Sequence, residues 1–221
     1  MPTLALVHTS PTLAPLFNEL TGRLVPDARV LHFVDESLIK NTIAAGILEK
    51  ATIRRAIALI GSTFDAGADV ALVTCSSIGP AVDLAAGLYD RPVLRIDRPM
   101  AEKAVATGKR IGVAATLQTT LAPTAALVRR AAAEAGRDVE IVEQLCAGAF
   151  EAVMAGDGAT HDRLVADGLT RGLADVDVIV LAQASMARVL SAIPKGDLSA
   201  PVLSSPELGV ERARDVLHAA R

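Results

Sequence analysis

Short apolar runs rich in valine, leucine and alanine alternate along this chain with segments whose apolar positions recur at helical spacing. Thr3 to Thr9 is the first such run and predicts a strand. Pro11 opens a helix carrying Leu13, Leu16, Phe17, Leu20 and Leu24, and Pro26-Asp27 ends it. A second strand spans Arg29 to Val34, and the acidic pair Asp35 and Glu36 suits the start of a helix through Leu38 and Ile39. A longer helix from about Glu49 to Phe64 leads to a third strand beginning at Val70, a helix from Ile78 to Tyr89, and a fourth strand from Pro92 to Ile96.

After Asp97 the pattern restarts. A helix from Pro99 to Thr107 leads to a strand over Arg110 to Ala115 and a helix that opens within Thr116 to Thr120 and runs to Ala135. A strand over Val139 to Val142 precedes a loop with Cys146 and Gly148, a short helix, and a helix from about Ala159 to Gly172. The last long apolar strand, Val176 to Leu181, ends in Ala182-Gln183-Ala184-Ser185; a helix through Leu190, a short strand over Pro201 to Leu203 and a helix from Pro206 to Ala220 complete the chain. Strict alternation of strand and helix implies an α/β fold of doubly wound, mainly parallel sheets with helices on both faces.

The restart is an internal repeat. LALVHTSPTLAPL matches IGVAATLQTTLAP with Thr9 opposite Thr116; LVTCSS matches VLAQAS with Cys75 opposite Gln183; PVLRID matches PVLSSP with Pro92 opposite Pro201. Each pair lies about 108 positions apart, which implies two pseudo-symmetric α/β lobes. The expected division is residues 1–97 plus 206–221 for the first lobe and 98–205 for the second. Ligands of such folds gather outside the carboxyl ends of the strands, so Thr9, Cys75, Thr116 and Gln183 are expected at one cleft between the lobes.

The chemistry concentrates at those strand ends. Val70 to Val73 is apolar, and Thr74-Cys75-Ser76-Ser77 follows at once, placing a thiol at the end of a strand and two hydroxyls where they cap the next helix. A helix start favours anions, so a thiol there is favoured as thiolate unless it is buried as a simple core residue. Thr9, Ser10, Ser76, Ser77, Thr116, Thr119, Thr120 and Ser185, with the backbone at Ala184, form a set of donors suited to carboxylate oxygens, although any one of them alone reads equally as a helix cap. Asp35 and Glu36 read as a solvated helix start, and Cys146 as a small buried apolar residue.

Composition narrows the partners. The chain of 221 residues is 51% hydrophobic, enough for a large core. Its net charge of -3, with no basic run, one tyrosine and no tryptophan, argues against nucleic acid. Gly, Pro or charged residues interrupt every apolar stretch before it reaches bilayer length, so no membrane association is expected. Two cysteines and an opening without a basic leader suit a reducing, cytoplasmic setting. His8, His32, His161 and His218 lack the close spacing of zinc ligands, so no metal site is expected; His8 stands out by adjoining Thr9. Neither GxGxxG after the first strand nor GxxxxGK[ST] occurs, which counts against dinucleotide and nucleoside triphosphate chemistry.

With its paired lobes, Thr-Cys-Ser-Ser element, Thr-rich turn at Thr116 to Thr120 and strand end at Leu181 to Ser185, the sequence resembles the aspartate/glutamate/hydantoin racemase superfamily over nearly its whole length. The resemblance implies a homodimer, a small carboxylate substrate, no pyridoxal phosphate or metal, and a carboxy-terminal segment that returns to the first lobe. It also implies one cysteine from each lobe, acting on opposite faces of the substrate carbon. Here only Cys75 matches; Gln183 stands at the second position, and an amide does not titrate near neutral pH. A second base would then come from Ser185, His8 or an acidic residue. Three readings follow: a racemase or epimerase of a small carboxylic acid, amino acid or hydantoin-like ring using Cys75; a single-cysteine decarboxylase of the arylmalonate type, whose relatives keep the other cysteine; and a carboxylate-binding protein without catalysis. The first ranks highest on the family resemblance.

Overall fold

A computed structural model describes residues 1–194 and 196–219. The chain divides into two compact units, Met1–Pro99 with Pro206–Arg221, and Met100–Ser205. Each contains a four-stranded sheet with every pairing parallel.

In the first unit the strands β1 (Thr3–His8), β2 (Arg29–Val34), β3 (Val70–Val73) and β4 (Val93–Arg95) lie in the order β2-β1-β3-β4. The helices are α1 (Ala14–Leu24), α2 (Glu36–Ala45), α3 (Lys50–Asp65) and α4 (Gly79–Ala86), and α5 (Arg98–Thr107) begins at the boundary. Side chains alternate across the two central strands, as period-two geometry requires. Leu4, Leu6, Val70 and Leu72 pack with Phe17 of α1 and with Val210, Ala213 and Leu217 near the carboxyl end of the chain. Val7, Ala71 and Val73 point the other way and pack with Leu38, Ala56, Ile60, Ala81 and Val82. Both faces are therefore dry, which is why β1 and β3 read as unbroken apolar runs; each fully buried leucine contributes about 1.5–3 kcal/mol.

The second unit repeats the plan with β5 (Arg110–Ala115), β6 (Glu140–Leu145), β7 (Val178–Leu181) and β8 (Val202–Ser204) in the order β6-β5-β7-β8. Its helices are α6 (Gln118–Glu134), α7 (Ala149–Met154) and α8 (Gly158–Asp167); α9 (Ser205–Ala219) carries the chain into the first unit. The repeat extends to how the central strands begin. Asp69 accepts from the backbone N–H of Thr3 at 2.7 Å, and Asp177, at the matching place, accepts from those of Lys109 and Arg110 at 2.7 and 2.8 Å.

Several elements differ from the sequence expectations. β6 runs to Leu145 rather than Val142, because its ladder with β5 continues to Ala115↔Leu145 and the polar residues Glu143 and Gln144 sit on an edge strand. The helix expected over Ala159 to Gly172 is α8 followed by a π turn over Gly168–Gly172. The helix expected through Leu190 is a 3-10 helix and runs over Ala184–Ala192. The expected end of the last helix, Ala220, and the terminal Arg221 lie outside the described residues.

Candidate functional site

β3 delivers Cys75 to the carboxyl end of the first sheet, two residues past its last strand residue. The next residues, Ser76–Ile78, form a single 3-10 turn before α4 begins at Gly79. That turn aims backbone N–H groups at the sulfur. The Cys75 thiol engages the Thr9 hydroxyl, the Ser77 hydroxyl and the backbone N–H of Ser77 and Ile78. Burial is the larger influence and pushes the thiol above its ordinary value; the four hydrogen bonds oppose it by favouring thiolate. The residue itself stays half-buried and borders the apolar cluster that includes Val73 and Ile78.

The capping role expected of Ser76 and Ser77 is not what the structure has. The residue before α4 is Ile78, whose side chain makes no capping hydrogen bond. The Ser77 hydroxyl serves the sulfur instead, and Ser76 is buried within the turn. Ser10 is spent locally: its hydroxyl accepts from the Thr12 N–H at 3.4 Å and bonds the Thr12 hydroxyl at 2.8 Å, capping the short turn before α1.

On the opposite face of the sheet from Cys75 lies a chain of polar groups. The Thr74 hydroxyl oxygen lies 2.8 Å from His8 Nδ1 and 3.2 Å from the Val7 carbonyl oxygen. His32 Nε2 lies 2.9 Å from Asn18 Oδ1, which can only accept, so His32 Nε2 carries the proton and donates. His32 Nδ1 then accepts from His8 Nε2–H at 2.9 Å, which leaves His8 Nδ1 to accept from the Thr74 hydroxyl. The imidazoles of His8 and His32 stack with their planes 18° apart. His8 has no solvent exposure, and burial, reinforced by the neighbouring His32, lowers its pKa to about 4. It is a neutral imidazole. Asp35 caps α2 through the Ser37 N–H and pairs with Arg55 at 2.7 Å, in keeping with a helix start.

In the second unit β7 delivers Gln183 to the place that matches Cys75. Its Oε1 accepts from the Thr116 N–H at 2.6 Å and from the Thr116 hydroxyl at 3.0 Å. Thr120 is buried on α6, while Ala184 and Ser185 open the 3-10 segment with Ser185 exposed. The Thr119 hydroxyl oxygen is buried and has no hydrogen-bond partner among the described residues. Cys146, expected as a small buried residue, is 3% exposed, and burial lifts its thiol to about 11.

One charged cluster beneath the Cys75 turn escaped the sequence reading. Arg95, at the end of β4, is 8% exposed and grips Asp97 with two hydrogen bonds of 2.9 Å and Asp83 with one of 2.7 Å. The signal was present in the spacing of Arg95 and Asp97, two residues apart, at a strand end. Among the described residues no group of three or more His, Cys, Asp or Glu side chains is placed to hold a metal, and no helix is long and apolar enough to cross a membrane. A surface groove of about 540 Å³ between α8 and the 3-10 segment, lined by Asp162, Arg163, Asp167 and Ile193, includes none of the strand-end residues.

Comparison with solved structures finds the same fold in racemases. A glutamate racemase isoform from Bacillus anthracis shares 16% identity at a TM-score of 0.75, covering 99% of this chain and 82% of its own. The glutamate racemase of Francisella tularensis, solved with D-glutamate, gives 12% identity and 0.77 over 99% and 81%. An allantoin racemase from Klebsiella pneumoniae gives 16% and 0.70 over 100% and 89%. Comparison of the sequence with curated proteins gave no match. The Asp/Glu/Hydantoin racemase family model matches residues 7–213, from β1 into α9, and the chain belongs to that family.

Proposed function

We propose that this protein is a racemase or epimerase acting on a carbon acid, an amino acid or a hydantoin-like ring bearing a small carboxylate or its equivalent, with Cys75 as an acid/base. The reading is supported by family membership and carried by one observation: a thiol at the end of β3 engaged by two hydroxyls and two backbone N–H groups. Such a thiolate can take the α-hydrogen as a proton, leaving the bonding pair on a planar enediolate. Hydroxyl and amide donors at the strand ends of the first unit, Thr9 and Ser77 among them, suit the carboxylate oxygens of that intermediate.

Inversion also requires a proton from the opposite face, and Gln183 cannot supply one by titration. Its oxygen is occupied by Thr116, so what it offers a ligand is the amide N–H₂. That favours a second reading with chemistry on one face. Burial keeps the Cys75 thiol protonated at rest, and a resting acid suits a substrate that generates its own carbanion. In a disubstituted malonate the C–C bond to a carboxylate breaks, carbon dioxide leaves, the electron pair stays as an enediolate, and the Cys75 S–H protonates the carbon.

Incubation in deuterated water with a panel of amino acids, hydroxy acids and hydantoins tests the first reading; exchange of the α-hydrogen with loss of optical activity is the expected result. Carbon dioxide release from arylmalonates without such exchange selects the second. Turnover retained by Cys75→Ala overturns both.

A further inference from the structure

The backbone ladder between β1 and β3 ends at Val7↔Val73, with the Thr74 N–H donating to the Val7 carbonyl as its last bond. Beyond that point the register continues through side chains. His8 faces Thr74 and bonds it at 2.8 Å on one face of the sheet; Thr9 faces Cys75 and bonds its sulfur on the other. The second unit has the same ladder, ending at Ala114↔Leu181 with the Ala182 N–H donating to the Ala114 carbonyl. Its next register positions are Ala115 and Ala182, which have no polar side chain, and then Thr116 and Gln183. The repeat thus keeps the outer pair in both units and has the inner polar pair only in the unit that carries the thiol.

We propose that His8 is a positioning residue for Cys75: its bond to Thr74 closes the β1–β3 seam one residue past the backbone ladder and so holds the Thr9 hydroxyl on the sulfur. The inference rests on the reading of Cys75 as the working thiol. His8 is itself held from behind, by His32 through Nε2 and by Phe17, whose ring centroid is 5.4 Å away. His32 is the titratable group that faces it, and Asn18 closes the chain on the α1 side. A bare apolar pair, as in the second unit, would leave the two strand ends free to part between the ladder and the Thr9–sulfur bond. Loss of that bond removes one of the donors that favour thiolate, so the thiol should ionise at higher pH.

The test is alkylation by iodoacetamide, read at the peptide level by mass spectrometry as a function of pH, with labelling of the buried Cys146 reporting any general loosening of the fold. His8→Leu and Thr74→Val should each move the Cys75 midpoint upward by about 0.5, about a threefold loss of thiolate at any pH below it. His8→Asn, whose amide can reproduce the Nδ1 contact to Thr74, and Thr74→Ser should remain within about twofold of the parent. The nearly isosteric Thr74→Val decides the matter if His8→Leu does not fold. An unmoved midpoint in folded Thr74→Val, or an Asn variant that behaves like the Leu variant, overturns the proposal. Labelling requires no substrate, so absence of turnover in the parent protein would defeat the proposed function and leave this result to stand or fall separately.

Discussion

Thr116 directs both its backbone N–H and its hydroxyl at Gln183 Oε1, at 2.6 and 3.0 Å, where the matching residues of the first unit place a threonine hydroxyl on the sulfur of Cys75. One arrangement thus serves two chemistries. In both units a threonine ending the central strand binds the side chain ending the neighbouring strand, and the identity of that side chain decides whether the pair holds a titrating group or a neutral one.

Gln183 is consequently structural. Thr116 is buried, and Gln183→Leu would strip its N–H of a partner, costing about 1–3 kcal/mol of stability. Gln183→Glu retains the acceptor oxygen and should stay close to the parent. Urea denaturation of the two variants compares them directly; equal stability for both would mean that the Thr116 bond contributes little.

How much of this was legible in the sequence depended on the range of the signal. β1, β3, β5 and β7 announce themselves because both their faces are buried, and the matching of Thr9 with Thr116 and Cys75 with Gln183 is visible in the strings alone. β6 was read short because Glu143 and Gln144 look like loop where an edge strand tolerates polar residues. His8 stood out beside Thr9, but its link to His32 depends on the parallel register that sets Leu6 against His32, which no local pattern encodes. Ser77 was legible as a hydroxyl near a helix start, while its commitment to the sulfur rather than to the helix depended on the 3-10 turn that intervenes.

His8 should leave a signature in acid. Its pKa is about 4 in the folded protein against 6.5 for an unperturbed imidazole, so between these values the unfolded chain binds a proton that the folded chain does not. Stability is therefore complete above pH 6.5 and falls as pH drops toward 4, by up to about 3 kcal/mol. His32, also lowered by burial, adds a loss of the same sign. The carboxylates of Asp35, Asp157 and Asp177 are held below their ordinary value of 3.8, so their contribution is lost only at more acid pH. Urea midpoints measured across this window should fall with pH in the parent and fall less in His8→Asn; parallel slopes would refute the assignment.

Arg95 makes the turn that carries Cys75 intolerant of any side chain at position 79. A Cβ on Gly79 would overlap the Arg95 guanidinium, which is fixed from two sides by Asp97 and Asp83 and cannot swing away without leaving a carboxylate behind. Asp97 is 1% exposed, so its separation from Arg95 strands a buried charge, a loss of about 3–5 kcal/mol when complete. Gly79 has φ −50° and ψ −42°, ordinary helical values, so backbone strain plays no part and the effect of Gly79→Ala is purely the displaced guanidinium. Helix propensity alone would favour alanine there by about 1 kcal/mol, which gives the two accounts opposite signs. Gly79→Ala should destabilise the protein, and Arg95→Ala should be destabilising alone yet make the added methyl at 79 harmless or favourable. A double-mutant cycle on urea unfolding measures that coupling; additive losses would show that Arg95 and Gly79 act independently.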